Sequence, residues 1–478
     1  MKRESNIFLI CVVSILLALC VFYGAQAFFQ SQMMSQFIWN INTFRGLFAY
    51  LPDNLPKEHI IGSYAFAFKD YYAHLPRTVS QNASYYAALL GLLCAAYCPF
   101  LFWSQYYRPS QKFRSVVTLG VILILGTGIR LFFAYHTTCN HDIVSWYIDR
   151  AILEEGKNIF AVTERYNYSP FWFSILKFLA QVNRLLPQFP FMFIVRAFLT
   201  FVDLLTLAIV IRLAQVIHFS PQKAAALFFL NPIGIIITGY HGQFDNIPVL
   251  FLLSAILLYL QYGKRFFLLS WLLITAGFIT KHEIMQQLLI FFRQVKGSRI
   301  KALLWFAFSV TLFFLSFAPY WSRGAGGILG NVFGYGGISR PYGFIMLDFN
   351  IAIAQWHKYF FVGLLLLWPF CFQTPQLLRS SLIGMLVFLI FTSGISAQQF
   401  ILPVALAALQ PSLGFYLFSA VSSLFLFGNI DELKIHFFEF IDWNCIWIAA
   451  TGWFVLELNK KRQVPQAGES DRLLFQNP

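Results

Sequence analysis

Charge is scarce in this chain. Only 11% of its 478 residues are Asp, Glu, Lys or Arg, against about 25% in a soluble domain. With 58% hydrophobic residues, that shortage excludes an ordinary soluble globular enzyme. Cysteine is also sparse: seven are scattered, mostly inside apolar runs, with no Cys-x-x-Cys and no Cys/His cluster. A disulfide framework and a zinc site are therefore excluded. No HExxH, GxSxG or dinucleotide-binding fingerprint occurs, and the glycine-rich stretch 321–344 lacks Walker spacing. The acidic side of the charge balance is short too, leaving a net charge of +14. The Lys and Arg residues fall largely at the ends of apolar runs, where they report topology, so no nucleic-acid partner is expected.

What is present is a succession of apolar runs of about 17–25 residues, each long enough as a helix to cross a bilayer. The expected fold is all-α, a polytopic transmembrane bundle of about 11–14 membrane helices, short or re-entrant ones included. Lys2 and Arg3 precede an apolar run that passes Phe22 without a cleavage site, which reads as an uncleaved anchor. Helices are expected at 7–28 and 83–103, separated by a long outer segment 30–80, and then at 116–135. Residues 171–187 are apolar but carry Lys177 and Arg184, and read as a juxtamembrane helix. Spans follow at 194–214, 223–240, 247–262 and 266–280, then a short helix and 302–319. The last spans are 357–373, 380–396, 412–428 and 441–458. This assignment puts the basic turns at Lys264–Arg265 and Arg293–Lys301 in the cytoplasm. Four regions result: N-terminal helices 1–114, a central module 115–345 with outer loop 136–172, C-terminal helices 346–458 and a tail 459–478.

Against that background five polar stretches stand out, at 141–172, 241–246, 281–283, 321–344 and 396–399. The alternation of basic turns brings all five to one face of the membrane. If 142–155 is helical, Asp142, Trp146 and Asp149 share one side, and Ile143, Tyr147 and Ile148 are free to lie on the membrane. Gly156 suits that helix's end and Pro170 the start of the next. Each stretch has a plainer reading: a solvated loop, a turn, snorkelling cations, or a lid or flexible linker for the glycine-rich stretch. Asp203, seven residues after Arg196, is either a functional carboxylate within the membrane or a helix–helix bond.

The order of these stretches resembles the GT-C superfamily of polytopic glycosyltransferases. That family shows an acidic residue in the first outer loop followed by a Tyr-x-x-Pro-type motif, as in Asp142 and the run Tyr166, Tyr168, Pro170. In layout the chain is similar to the endoplasmic-reticulum glucosyltransferases of asparagine-linked glycan assembly and their bacterial relatives. Arg196 with Asp203, the His241-Gly-Gln243-Phe turn, Lys281, and Arg340 after Pro319 and Tyr320 match their motifs across roughly 115–345. Two departures are visible: two helices and a long outer segment precede the central module that carries the acidic loop, and Asp245-Asn246 replaces the family's Gln-Tyr-Asn.

The resemblance implies hexose transfer from a polyprenyl-phosphate sugar to a glycan, lipid-linked or protein acceptor, with membrane lipids around it and no cofactor or metal. Asp142 would be the general base and Asp245 a supporting residue, with Asp149 as competitor for the base. Trp146, Asp149, Tyr166, Tyr168, His241, Gln243, Lys281, His282 and Arg340 would bind substrate. The expected setting is a bacterial inner membrane, or the endoplasmic-reticulum membrane in a eukaryote, with the site on the periplasmic or lumenal face. A transporter or flippase of lipid-linked sugars is the rival reading.

Overall fold

The computed structural model describes residues 112–460, apart from 137–140, 164–165, 297, 336–349, 373, 375, 393, 430–437 and 439. The expected helices 7–28 and 83–103, the segment 30–80, Arg340 and nearly all of the tail lie outside the described residues. Among the described residues there are helices and turns but no strand.

The order is α1 (Lys112–His136), α2 (His141–Glu154), a single turn α3 (Ile159–Val162), α4 (Pro170–Leu185) and α5 (Phe191–Val216). Next come α6 (Pro221–Phe229), α7 (Pro232–Ile236, continued as a π-turn to His241), α8 (Asn246–Tyr262) and α9 (Phe267–Thr280). Then follow α10 (Met285–Lys296), α11 (Arg299–Ser316), α12 (Trp321–Gly327) and a π-turn Ile328–Phe333. The last helices are α13 (Asn350–Cys371), α14 (Leu377–Phe391), α15 (Val404–Ala408), α16 (Leu413–Asn429) and α17 (Trp443–Asn459).

Among the described residues four helical runs are long and apolar enough to cross a membrane: Thr118–Tyr135, Phe191–Val216, Asn246–Thr280 and Arg299–Phe333. The bent pair α6–α7 makes a fifth, and four shorter apolar helices accompany them. The Asn246–Thr280 run is a hairpin, because α8 and α9 pack against each other after the turn at 263–266. Outward faces carry large uncovered apolar side chains such as Ile124, Phe201, Leu268, Ile300 and Leu367. Such continuous apolar surface suits a lipid surrounding. This is a helical membrane protein.

The helix expected at 171–187 is present as α4, and it is not among the helices long and apolar enough to cross a membrane. Ser169 caps its first turn, and Pro170 occupies the first helical position, where no N–H is needed. Its buried side is Trp172, Phe173, Leu176, Leu179 and Ala180, a helical stripe. The helix α2 is present as expected and the chain turns beyond it at Gly156 (φ 69°). However, Ile143, Tyr147 and Ile148 do not lie on a membrane. They are at most 3% exposed, because α4 and α5 cover that side. Tyr147 even accepts a hydrogen bond from the Met192 N–H at the start of α5.

The expected single span 223–240 is broken. Helices α6 and α7 meet at 47°, because Pro232 has no N–H to continue the ladder. A break inside a membrane leaves backbone groups that must be satisfied by protein. Arg130 of α1 donates Nη1 to the Phe229 carbonyl at 2.7 Å, and the Asn231 side chain accepts from the Ile233 N–H at 3.0 Å. The glycine-rich stretch also differs from a linker over its first half. There α12 and the π-turn seat on α3, and a Cβ at Gly327 would collide with the Phe160 carbonyl. Asn158 donates to the Tyr320 carbonyl at 2.9 Å across that seam.

Candidate functional site

The polar residues form two buried clusters and one half-open edge. The first cluster sits on α5. Asp203, fully buried, receives Arg130 Nε at 2.9 Å and Thr238 Oγ1 at 2.9 Å on one oxygen, and Asn246 Nδ2 at 2.9 Å on the other. Asn246 also donates to the Leu199 carbonyl at 2.9 Å. Asp203 thus ties α1, the broken helix and the start of α8 to α5. Its cation is Arg130, not Arg196, whose guanidinium lies over the Tyr240 ring at 5.7 Å and donates to the Ala134 carbonyl at 3.4 Å. Of the two readings of Asp203, the geometry matches the helix–helix bond. Arg130 carried no motif to reveal this.

The second cluster lies at the open end of the α8–α9 hairpin. Lys281 Nζ is 2.7 Å from Asp245 Oδ1 and 3.4 Å from Glu283 Oε1. Gln399 donates Nε2 to the same Glu283 oxygen at 2.8 Å. Asp245 Oδ2 and Glu283 Oε2 are buried with no donor among the described residues. The two carboxyls are close enough to hydrogen-bond when one is protonated. Burial, opposed by Lys281 and reinforced by Glu283, pushes the Asp245 carboxyl up to about 7. Burial alone would lower Lys281, but Asp245 and Glu283 facing it hold its ammonium above the usual value. The arrangement that satisfies both directions is a charged lysine beside an Asp245 carboxyl that takes up a proton readily. Glu283 and Gln399 stood in the polar stretches yet were not singled out as site residues.

The edge is formed by α2 and the 241–246 turn. Asp142 Oδ2 is 4.0 Å from His241 Nδ1, with 27% and 19% of the side chains exposed. Gly242 (φ 64°) makes the turn, and a Cβ there would strike Ile143, so this position requires glycine. Trp146 locks the turn to α2 by donating Nε1 to the Gly242 carbonyl at 3.0 Å. Phe244 then stacks on Trp172, ring centroids 4.3 Å apart at 12°.

Tyr168 stands between the edge and the second cluster. Lys281 Nζ lies 5.5 Å from its ring and 5.2 Å from that of Phe244. Burial, and then the nearby Asp142 and Asp245 carboxylates against the opposing Lys281, raise its phenol far above the ordinary value. It stays protonated, able to donate.

Other expected substrate contacts sit deeper. Tyr166 is fully buried, donates to the Ser169 carbonyl at 2.5 Å and accepts from the Phe173 N–H at 3.0 Å, which folds the loop onto α4. Asp149 is fully buried near Tyr166, whose phenol burial and this carboxylate raise well above its usual value. Arg150 does not engage Asp149 but Glu154 at 3.1 Å and Asn183 at 2.8 Å. Gln243 is fully buried, and neither amide atom has a partner among the described residues. His282 is exposed beside Lys281.

Four of the five polar stretches therefore contribute to one region: 141–172, 241–246, 281–283 and 396–399. The lysine and arginine at 264–265 lie at the other, closed end of the hairpin. Among the described residues no group of three His, Cys, Asp or Glu side chains is arranged to hold a metal ion. No family model, curated protein or solved structure matches the chain.

Proposed function

We propose that this protein is an integral-membrane glycosyltransferase that moves a hexose from a polyprenyl-phosphate sugar to an acceptor hydroxyl. The observation that carries the reading is the pairing of Asp142, a part-exposed carboxylate beside His241, with a buried charge cluster across Tyr168. A base that must meet an incoming hydroxyl needs exposure, and Asp142 has it where Asp149, Asp203 and Asp245 do not.

In the proposed step the Asp142 carboxylate takes the acceptor hydroxyl proton as that oxygen attacks the anomeric carbon. The bond from the anomeric carbon to the phosphate oxygen breaks, and its electron pair leaves with the polyprenyl phosphate. Direct displacement inverts the anomeric carbon. Growing negative charge on the phosphate calls for a cation. Lys281 already faces two carboxylates, so its part is to hold the 241–246 turn against the 281–283 segment. His282, exposed next to it, and Arg340 are the proposed phosphate contacts. Tyr168 and His241 orient the sugar. The uncovered apolar surface around the bundle offers the polyprenyl chain a lipid-like path. The proposed site faces the periplasm or lumen, on the strength of the basic turns at 264–265 and 293–301.

A second reading, a transporter of lipid-linked sugars, is favoured by one specific feature. The broken α6–α7 helix packs on a second interrupted segment, Ala397–Ile401 and α15. Discontinuous helices that meet in this way are common at transporter binding sites. One experiment separates the two. Purified full-length protein in liposomes is given a panel of polyprenyl-phosphate sugars with candidate acceptors, and both sugar transfer and lipid movement between leaflets are scored. Transfer that Asp142→Asn abolishes supports the enzyme; leaflet exchange without any bond cleavage sinks it.

A further inference from the structure

Away from the proposed site, α2 and α4 enclose a cavity of about 260 Å³ lined by Arg150, Leu153, Glu154, Lys177, Ala180, Gln181 and Arg184. Three of these side chains are cations and one is an anion. The anion organises the cations: Glu154 Oε1 receives Arg150 Nε at 3.1 Å and Arg184 Nη2 at 3.3 Å. Arg150 is further fixed by Asn183 at 2.8 Å and by stacking over Phe191 at 4.7 Å. The two guanidinium groups are thus set in place before any ligand arrives, with a net charge of +2 once Lys177 is included. Preorganised forks of this kind recognise phosphate oxygens.

The outer face of α4 shows where such a phosphate comes from. Lys177 and Arg184 are seven residues apart on one line of the helix. One residue behind each is a large apolar side chain left uncovered, Phe178 at 56% and Leu185 at 81% exposed. A helix that presents cations and bulky apolar groups side by side, while its other face is buried in protein, suits the interfacial layer of a membrane. The apolar pair reaches the acyl region and the cations meet the head groups. We propose that this cavity binds the head-group phosphate of an anionic membrane lipid, with Phe178 and Leu185 against its acyl chains. The site is independent of the transferase reading and uses none of its residues.

The test uses full-length protein in nanodiscs of phosphatidylcholine alone or mixed with phosphatidylglycerol, with lipid retained on the protein measured by native mass spectrometry. Phosphatidylglycerol should be retained over phosphatidylcholine. The double substitution Lys177→Gln, Arg184→Gln should weaken retention by about tenfold or more, the scale of a lost charge-assisted contact. The exposed pair Lys264→Gln, Arg265→Gln, at the other end of the bundle, should leave it unchanged. Phe178→Ser with Leu185→Ser keeps every charge and should also weaken retention. Equal losses in both charge-removing variants, or no preference for phosphatidylglycerol, would overturn the proposal. So would inorganic phosphate raising the melting temperature of detergent-solubilised protein as strongly as phosphatidylglycerol does, because the lipid tail would then contribute nothing.

Discussion

Two buried ion clusters lie on either side of the residue pair 245–246, and they are built to opposite rules. Around Asp203 there is one carboxylate and one guanidinium, and Thr238 and Asn246 supply further donors to both oxygens. Around Lys281 there is one ammonium and two carboxylates, with an oxygen of each left without a donor. A charge-balanced cluster whose carboxylate has a donor on each oxygen has nothing to exchange and acts as a clamp. An unbalanced one holds a labile proton, and its state depends on pH and on what binds nearby. Adjacent residues, Asp245 and Asn246, belong to the two different clusters, so the turn that carries the proposed site is bolted on one side and poised on the other.

The sharpest way to break the comparison is to unbalance the clamp. Arg130→Met leaves Asp203 charged and buried and removes the donor to the Phe229 carbonyl at the helix break. A loss of about 3–5 kcal/mol is the scale for a buried pair broken on one side. The variant should be recovered from membranes poorly or with a strongly lowered melting temperature. Adding Asp203→Leu should restore much of the loss, since a buried pair replaced by apolar residues is often neutral. A wild-type melting temperature for Arg130→Met alone would mean the cluster is no clamp.

Next in size is the half-open edge, which belongs to neither cluster. Asp142→Asn keeps shape and removes the proton acceptor, so transfer should fall by about 10²–10⁴ while melting temperature and donor binding hold. Asp149→Asn should be far milder, as that carboxylate is sealed beneath Tyr166. Comparison of single-turnover rates for the two variants decides this; the reverse ranking would move the base to Asp149.

The two clusters also bear on what was legible beforehand. The helices read well because apolar run length and Pro or Gly punctuation report local physics: Pro170, Gly156 and the ends of α8 and α9 fall where expected. Of the five polar stretches that the alternation of basic turns brings to one face, 141–172, 241–246, 281–283 and 396–399 do meet in one region. What could not be read was partner choice across long separations. Arg196 and Asp203 share a helix and looked like a pair, yet Arg130, 73 residues away, takes Asp203. The kink after Phe229 was hidden because Pro232 removes a single N–H from a run that is otherwise continuously apolar. Gln399 on Glu283 likewise joins residues 116 apart.

A gentler test titrates the poised cluster. Burial raises the Asp245 carboxyl from an unfolded value of 3.8 to about 7. The folded protein therefore binds more protons than the unfolded chain between those values. Its contribution to stability is fully present below about 4 and is lost as pH rises through about 7. Melting temperature should decline across that window, and Asp245→Asn should flatten the decline. Asp203, in the balanced cluster, supplies the contrast: Asp245→Asn should leave the Arg130–Asp203 pair in place, as read by unchanged protection of the α5 amides from exchange. A slope unchanged in Asp245→Asn would place the titrating group elsewhere.

The smallest expected effect concerns Gln243, which lies in the turn between the clusters and belongs to neither. It is fully buried, and both its amide atoms lack a partner among the described residues, whereas the neighbouring Asn246 amide nitrogen has two. A buried amide without partners costs about 1–3 kcal/mol, a cost that a bound sugar hydroxyl would relieve. Gln243→Leu fills a similar volume with nothing to satisfy. The empty protein should therefore melt slightly higher than wild type. If the amide serves the substrate, the same variant should also raise KM for the sugar donor several-fold with little change in kcat. The two effects must come together: a binding group left unsatisfied in the empty site destabilises it and strengthens the complex. A higher melting temperature with unchanged KM would make Gln243 a packing flaw of the turn, and a lower melting temperature would mean the amide is already satisfied.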